Sequence, residues 1–261
     1  MIVPIATVFC YSLSSSPTEY AMSIVFDGYL PVLGGMQQKA KVELSLKVTG
    51  KESGGELSAE TSLSGLKLSL LDATTGKFEP FELGLQSVKA YFPDSSIRYT
   101  KEGKIVSTTA PEFSLPIRLP GLHTQQVPDI SFMSVEFPAG GVEAGTPWTF
   151  VRKFGDSEVK TTAVYAGKDD RGERFDLDVS QEYSTFEDEF RNAVADRSKA
   201  KTKVVTKVSG KGKVWFSGPK GTISRSEMLA AAESRVYTMS GEPSGDPRRL
   251  AISFEMEQKG K

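Results

Sequence analysis

Val42-Glu43-Leu44-Ser45-Leu46-Lys47-Val48-Thr49 carries apolar side chains at every even position and polar ones between. Successive side chains on a β-strand point to opposite faces, so this stretch reads as a strand with one buried and one solvated face. The pattern recurs at Tyr20, Met22, Ile24 and Phe26, at Phe175, Leu177 and Val179, and at Leu250, Ile252, Phe254 and Met256. Trp148, Phe150 and Phe154 share one parity, with Arg152 interrupting them. Parallel α/β cores have continuous apolar strands, whereas a solvated alternate face marks an antiparallel sheet.

The punctuation agrees. Gly34-Gly35 separates two alternating runs as a two-residue hairpin loop would. Ser53-Gly54-Gly55, Lys101-Glu102-Gly103, Gly155-Asp156 and Asp169-Asp170-Arg171-Gly172 supply further turns. Parity flips between Leu63 and Leu66, with Gly65 at the flip, the signature of a β-bulge. Long, bulged strands predict strong curvature.

Two stretches depart from period two. Phe81, Leu85, Val88 and Phe92 fall on one helical face, and Ser184 with Glu187 has capping-box spacing ahead of Phe190 and Val194. The fold expected is mostly β: a large curved antiparallel sheet or incomplete barrel with two short helices. The chain divides into a segment 1–17, a first β half 18–110, a proline-punctuated connector 111–147 and a second β half 148–261. Each half offers strands, a short helix and a hairpin. Gly103 and Ile105 in one hairpin match Gly221 and Ile223 in the other, which reads as an internal duplication.

With 38% hydrophobic residues the chain is too apolar for disorder. Its 32 basic and 33 acidic residues balance, which argues against a nucleic-acid partner. One cysteine, Cys10, and one histidine, His123, exclude an intramolecular disulfide and a Cys/His zinc cluster. Asn192 is followed by Ala193 and Val194, so no glycosylation sequon exists. The apolar run Ile2–Phe9, followed by small polar residues to Pro17, has the length of a signal-peptide core but lacks preceding basic residues. Segment 1–17 is therefore expected to be a truncated export signal; a buried first strand is the alternative. Phe9 is too bulky for the residue preceding a lipidated cysteine at Cys10.

Phe137-Pro138 and Val142-Glu143-Ala144-Gly145-Thr146-Pro147-Trp148, with the hairpin around Gly221, resemble segments of uncharacterised bacterial exported β proteins. Their architecture is similar to the periplasmic lipoprotein-carrier fold. The resemblance implies a curved sheet with helices against its concave face and room for an acyl chain; it implies no catalytic residues.

The residues themselves suggest little chemistry. His123 lies in a loop stretch without a nucleophile motif beside it. Glu187, Asp188 and Glu189 are consecutive and read as helix-start carboxylates. Asp169 and Asp170 lack the spaced oxygens of a calcium loop and read as turn residues. Lys199, Lys201, Lys203, Lys207, Lys211 and Lys213 read as protection of an edge strand, with anionic lipid as the competing partner. Trp148, Trp215, Phe216 and Tyr237 read as core, with a cavity lining as the alternative. No catalytic, cofactor-binding or metal residue is assigned. The function expected is non-enzymatic: a secreted or periplasmic cell-envelope protein binding a lipid-like ligand or a lipoprotein, with contact to a membrane surface. A surface interaction module without a cavity is the alternative.

Overall fold

The computed structural model describes residues 6–30, 36–81, 95–108, 132–154, 157–189, 194 and 196–260. The turns expected at Gly34-Gly35 and Gly155-Asp156, most of the first helical stripe (Leu85, Val88, Phe92), His123 and most of the connector lie outside them.

The alternating runs form one twelve-stranded antiparallel sheet. Its strands are β1 (Thr18–Leu30), β2 (Met36–Ser53), β3 (Glu56–Leu71), β4 (Phe78–Phe81), β5 (Ser95–Thr100) and β6 (Ile105–Thr108), then β7 (Pro147–Phe154), β8 (Ser157–Asp169), β9 (Gly172–Glu187), β10 (Thr202–Ser217), β11 (Thr222–Thr238) and β12 (Arg248–Gln258). In space they run β6-β5-β3-β2-β1-β12-β11-β10-β9-β8-β7, with β4 against β3. The order β5-β3-β2-β1 in the first half is matched by β10-β9-β8-β7 in the second, the arrangement that the paired hairpins suggested. Where the halves meet, Met22 pairs with Met256 and Ile24 with Phe254.

Register follows the alternation. Across β3, β2, β1, β12 and β11, the row Leu68, Val42, Ile24, Phe254 and Met228 shares one face. The flip near Gly65 is a bulge: Gly65 pairs with Ser45 and Leu63 with Leu46, leaving Ser64 over. The extra residue lets the leucines on both sides of the bulge face inward. Gly210 and Gly212 permit close approach of β10 and β11: a Cβ at Gly212 would stand 2.8 Å from the Glu227 carbonyl oxygen.

One expectation is corrected. Ser184, Phe186 and Glu187 do not start a helix; they end β9, where Glu187 pairs with Thr202 and Phe186 with Lys203. Pairing along β10 continues to Glu187 and prevails over a local capping spacing, because the ladder gives partners to the backbone groups that face β10. Among the described residues the only helical pieces are 3-10 turns at Arg197–Lys199 and Gly218–Lys220.

Residues 6–14 thread into the end of the sheet. Thr7 exchanges backbone hydrogen bonds with Val142, the Tyr11 amide donates to the Lys101 carbonyl and the Ser12 amide to the Gly221 carbonyl. Lys101 and Gly221 belong to the two matching hairpin turns. The glycines there, Gly103 and Gly221, have φ of 90° and 60°, and a side chain on either would collide with Tyr11 or Ser12. Phe9 and Tyr11 are buried, Phe9 lying within 5.8 Å, centroid to centroid, of Phe137, Tyr165, Phe175 and Phe216. A leader removed at Pro17 would take this aromatic plug with it. Truncating one such ring in a closed core costs about 3–5 kcal/mol. Phe9→Ala is expected to lower the unfolding free energy by about that amount in a denaturant titration, whereas Val8→Ala, at an exposed position, shifts it by less than about 0.5 kcal/mol.

Candidate functional site

The candidate site is the apolar concave face. Its two edges belong to β5–β6 and β7, nine strand-to-strand steps apart from β5 to β7. In a flat sheet that distance is about 43 Å at ~4.8 Å per step. Yet the Arg152 guanidinium, on β7, donates to the Gly103 carbonyl oxygen in the β5–β6 turn at 3.1 Å. The sheet is therefore curled until its edges approach, without closing into a strand-paired barrel.

Arg152 is the clasp. Its Nη2 also donates to the Met133 carbonyl at 2.6 Å, and its Nε to the Glu136 carboxylate at 2.9 Å. Met133 and Glu136 belong to the stretch Phe132–Val142, which lies as a strap across the seam. The Phe137 amide donates to the Glu102 carbonyl and the Trp148 indole to the Glu136 carbonyl, tying the strap to both edges. Arg152 and Glu136 are only 6% and 15% exposed. A guanidinium buried to this degree is tolerated because its fork reaches a carboxylate and two carbonyls. An Arg interrupting the apolar parity of β7 was visible in sequence, but not its partners.

The strap and the N-terminal segment plug one end of the curl. Phe132 lies between Tyr20 and Tyr99, each ring 6.2 Å away, and Tyr11 Oη donates to the Val135 carbonyl at 3.0 Å. Burial raises the phenol pKa values of Tyr11 and Tyr20 far above the ordinary tyrosine value. Tyr165, beside Phe9, is pushed up to about 12 by desolvation and then by its hydrogen bond to the Glu173 carboxylate.

Away from the plug the concave positions become small. Gly210 and Gly212 on β10 face Ala230 and Met228 on β11, and Ala232 follows. Larger apolar residues, Leu177, Val179, Ile252 and Phe254, border them. At the far end Glu187 and Arg248 form a bidentate pair at 2.8 and 3.2 Å, both side chains largely buried, with Arg248 4.8 Å above the Tyr29 ring. Glu187 is thus a strand-end ion-pair partner, not a helix-start carboxylate. The concave face is thus apolar, closed by an aromatic plug at one end and bounded by a buried ion pair at the other.

The remaining candidates fall elsewhere. Lys203, Lys207, Lys211 and Lys213 lie on β10, an interior strand with full-length neighbours, so they do not guard an edge; Lys199 sits in a 3-10 turn. Lys201 precedes β10, and its amide donates to the Glu187 carbonyl. Lys207 and Lys211 face Glu182 and Asp178 across β9 at 3.4 and 3.9 Å, which fixes them as rungs of a charged outer face. Asp169 is a turn residue as expected: it accepts from the Arg171 amide and from the Trp215 indole, both at 2.9 Å. The Trp215 bond, first, and the Arg171 amide hold its carboxyl below the usual range. Of the four aromatic candidates, Phe216 joins the plug and Trp148 packs on Phe175, while Trp215 and Tyr237 are on the outer parity. A shallow outer groove of about 580 Å³ passes beside Lys211 and the exposed Leu229. No group of three metal-ligating side chains occurs among the described residues.

No protein-family model matches the chain, and no curated protein matches its sequence. Among solved structures, one of lipid–protein interactions in lipovitellin is similar in fold, with a TM-score of 0.51 and 10% identity. The match covers 95% of this chain and 25% of the lipovitellin chain, so this chain spans a quarter of that protein's length.

Breaking a buried pair by removing one partner typically costs about 3–5 kcal/mol, because the other charge is left uncompensated. Arg152→Met is expected to lose stability in that range, and adding Glu136→Gln to restore part of it. A double-mutant cycle by denaturant unfolding measures the coupling.

Proposed function

We propose that this chain is a non-enzymatic carrier that holds a lipid-like, apolar ligand against its concave face, outside the cytoplasm in a bacterial envelope. The observation that carries the proposal is the apolar concave face itself, where the small residues Gly210, Gly212, Ala230 and Ala232 are bordered by Leu177, Val179, Ile252 and Phe254. Removing an acyl chain from water onto such a face contributes about 0.8 kcal/mol per methylene. The likeness to lipovitellin, whose structure concerns lipid–protein interactions, supports the same reading at the level of fold. Export is motivated by the apolar N-terminal run, and it fits the buried plug when any leader is removed ahead of Phe9. Mature protein from the native host should then retain Phe9 and Tyr11.

The competing reading, a surface module without a ligand, draws on the exposed Leu229 and the outer groove. A fatty-acid probe whose fluorescence responds to polarity separates the two. Saturable binding at micromolar strength or tighter is expected. Ala230→Phe, which places a large ring on that face, should weaken it about tenfold, equivalent to roughly 1.4 kcal/mol. Leu229→Ser, on the opposite face, should leave it unchanged. Absence of saturable binding by the full chain, with its β circular dichroism intact, favours the surface module.

A further inference from the structure

A second hollow lies outside the plug, at the end of the sheet where the N-terminal segment turns into β1. It measures about 570 Å³, within the range of small-molecule sites. One wall is apolar, made by Leu13, Tyr20 and Val48. The other is lined by residues that carry donors: Thr222, Gln258, Lys220 and Lys259.

Two of these donors are unusual. Thr222 is 8% exposed, and its Oγ1 has no hydrogen-bond partner. A buried hydroxyl left unpaired costs about 1–3 kcal/mol, which a turn of the Thr222 side chain toward an acceptor held in the hollow would relieve. Lys220 follows Pro219 in the Gly218–Lys220 turn and has no ion-pair partner among the described residues. The lining holds one carboxylate, Glu19, and it is engaged by Lys47 at 3.6 Å and Lys259 at 3.9 Å. Lys259 also reaches Ser45 Oγ at 3.4 Å. Among the described lining residues two lysines, Lys220 and Lys259, stand against one carboxylate, Glu19, so the hollow is net positive.

We propose that this hollow binds a phosphate group, carried by a partly apolar molecule whose hydrocarbon lies on Leu13 and Val48. A tetrahedral oxyanion offers acceptors in several directions at once, as donors from β11, β12 and the Lys220 turn require. The site is distinct from the small-residue stretch of the concave face, since the hollow's lining includes none of Gly210, Gly212, Ala230 or Ala232.

Isothermal titration of the full chain at low ionic strength, with inorganic phosphate and separately with monomeric dihexanoyl phosphatidic acid, tests this. Saturable binding of at least one is expected. Lys220→Gln should weaken it about tenfold. Thr222→Val, which keeps the side-chain shape and removes the unpaired hydroxyl, should weaken it severalfold without lowering the thermal midpoint. Binding of phosphatidic acid alone identifies a lipid headgroup as the source, and equal binding of both identifies free phosphate. No binding by the wild-type chain, or binding equal in the wild type and both variants, overturns the proposal. The fatty-acid probe of the concave face is unaffected by Lys220→Gln, so either reading can fail while the other stands.

Discussion

Arg152 reconciles the two edges of a very large sheet. A long open sheet leaves unpaired amides and carbonyls along both margins, which invite pairing with other chains. Here the margins are brought together by one guanidinium that reaches the Glu136 carboxylate and Met133 carbonyl of the strap and the Gly103 carbonyl of the opposite margin. The same strap Phe132–Val142 places the rings of Phe137 and Phe132 among Phe9, Tyr11, Tyr20 and Tyr99. Arg152 thus ties the approach of the two margins to the aromatic plug, together with the Phe137–Glu102 and Trp148–Glu136 bonds.

Curvature in turn divides the concave face into unequal parts. At the plugged end, rings from the N-terminal segment, the strap, β8, β9 and β10 meet edge to face, the arrangement favoured by aromatic quadrupoles. Further along, Gly210 and Gly212 let β10 approach β11 closely. The outer face is held differently. Exposed pairs such as Lys39–Asp27 and Lys47–Glu19 each contribute little, at most about 1 kcal/mol, yet they use up the charges of both signs and leave the surface nearly neutral.

The N-terminal segment acts on both halves at once. Its successive amides, Tyr11 and Ser12, bond to hairpin turns that hold equivalent positions in the two halves, and each turn glycine is shaped by that contact. The segment therefore works as a cross-brace at the plugged end, while the Glu187–Arg248 pair braces β9 to β12 at the other.

The strands were legible in the chain because alternation is a local property: Val42 to Thr49 or Leu250 to Met256 has one parity that buries apolar surface and one that does not. The bulge at Ser64–Gly65 was legible for the same reason, since a flip of parity has no other simple origin in a paired strand. The turn role of Asp169 followed from short-range chemistry. What the tertiary structure decided was partnership over long separations. Ser184–Glu187 carried a helix-start spacing, but β10 offered a full ladder and won. The lysines of β10 looked like edge guards until strand order placed them in the interior, opposite Glu182 and Asp178. Arg152 read as an interruption because nothing within a few residues of it names the groups it meets, and the same holds for the ring contacts of Phe9. Those groups lie far along the chain and around the sheet, and only closure of the curl brings them within reach of a hydrogen bond or a ring contact.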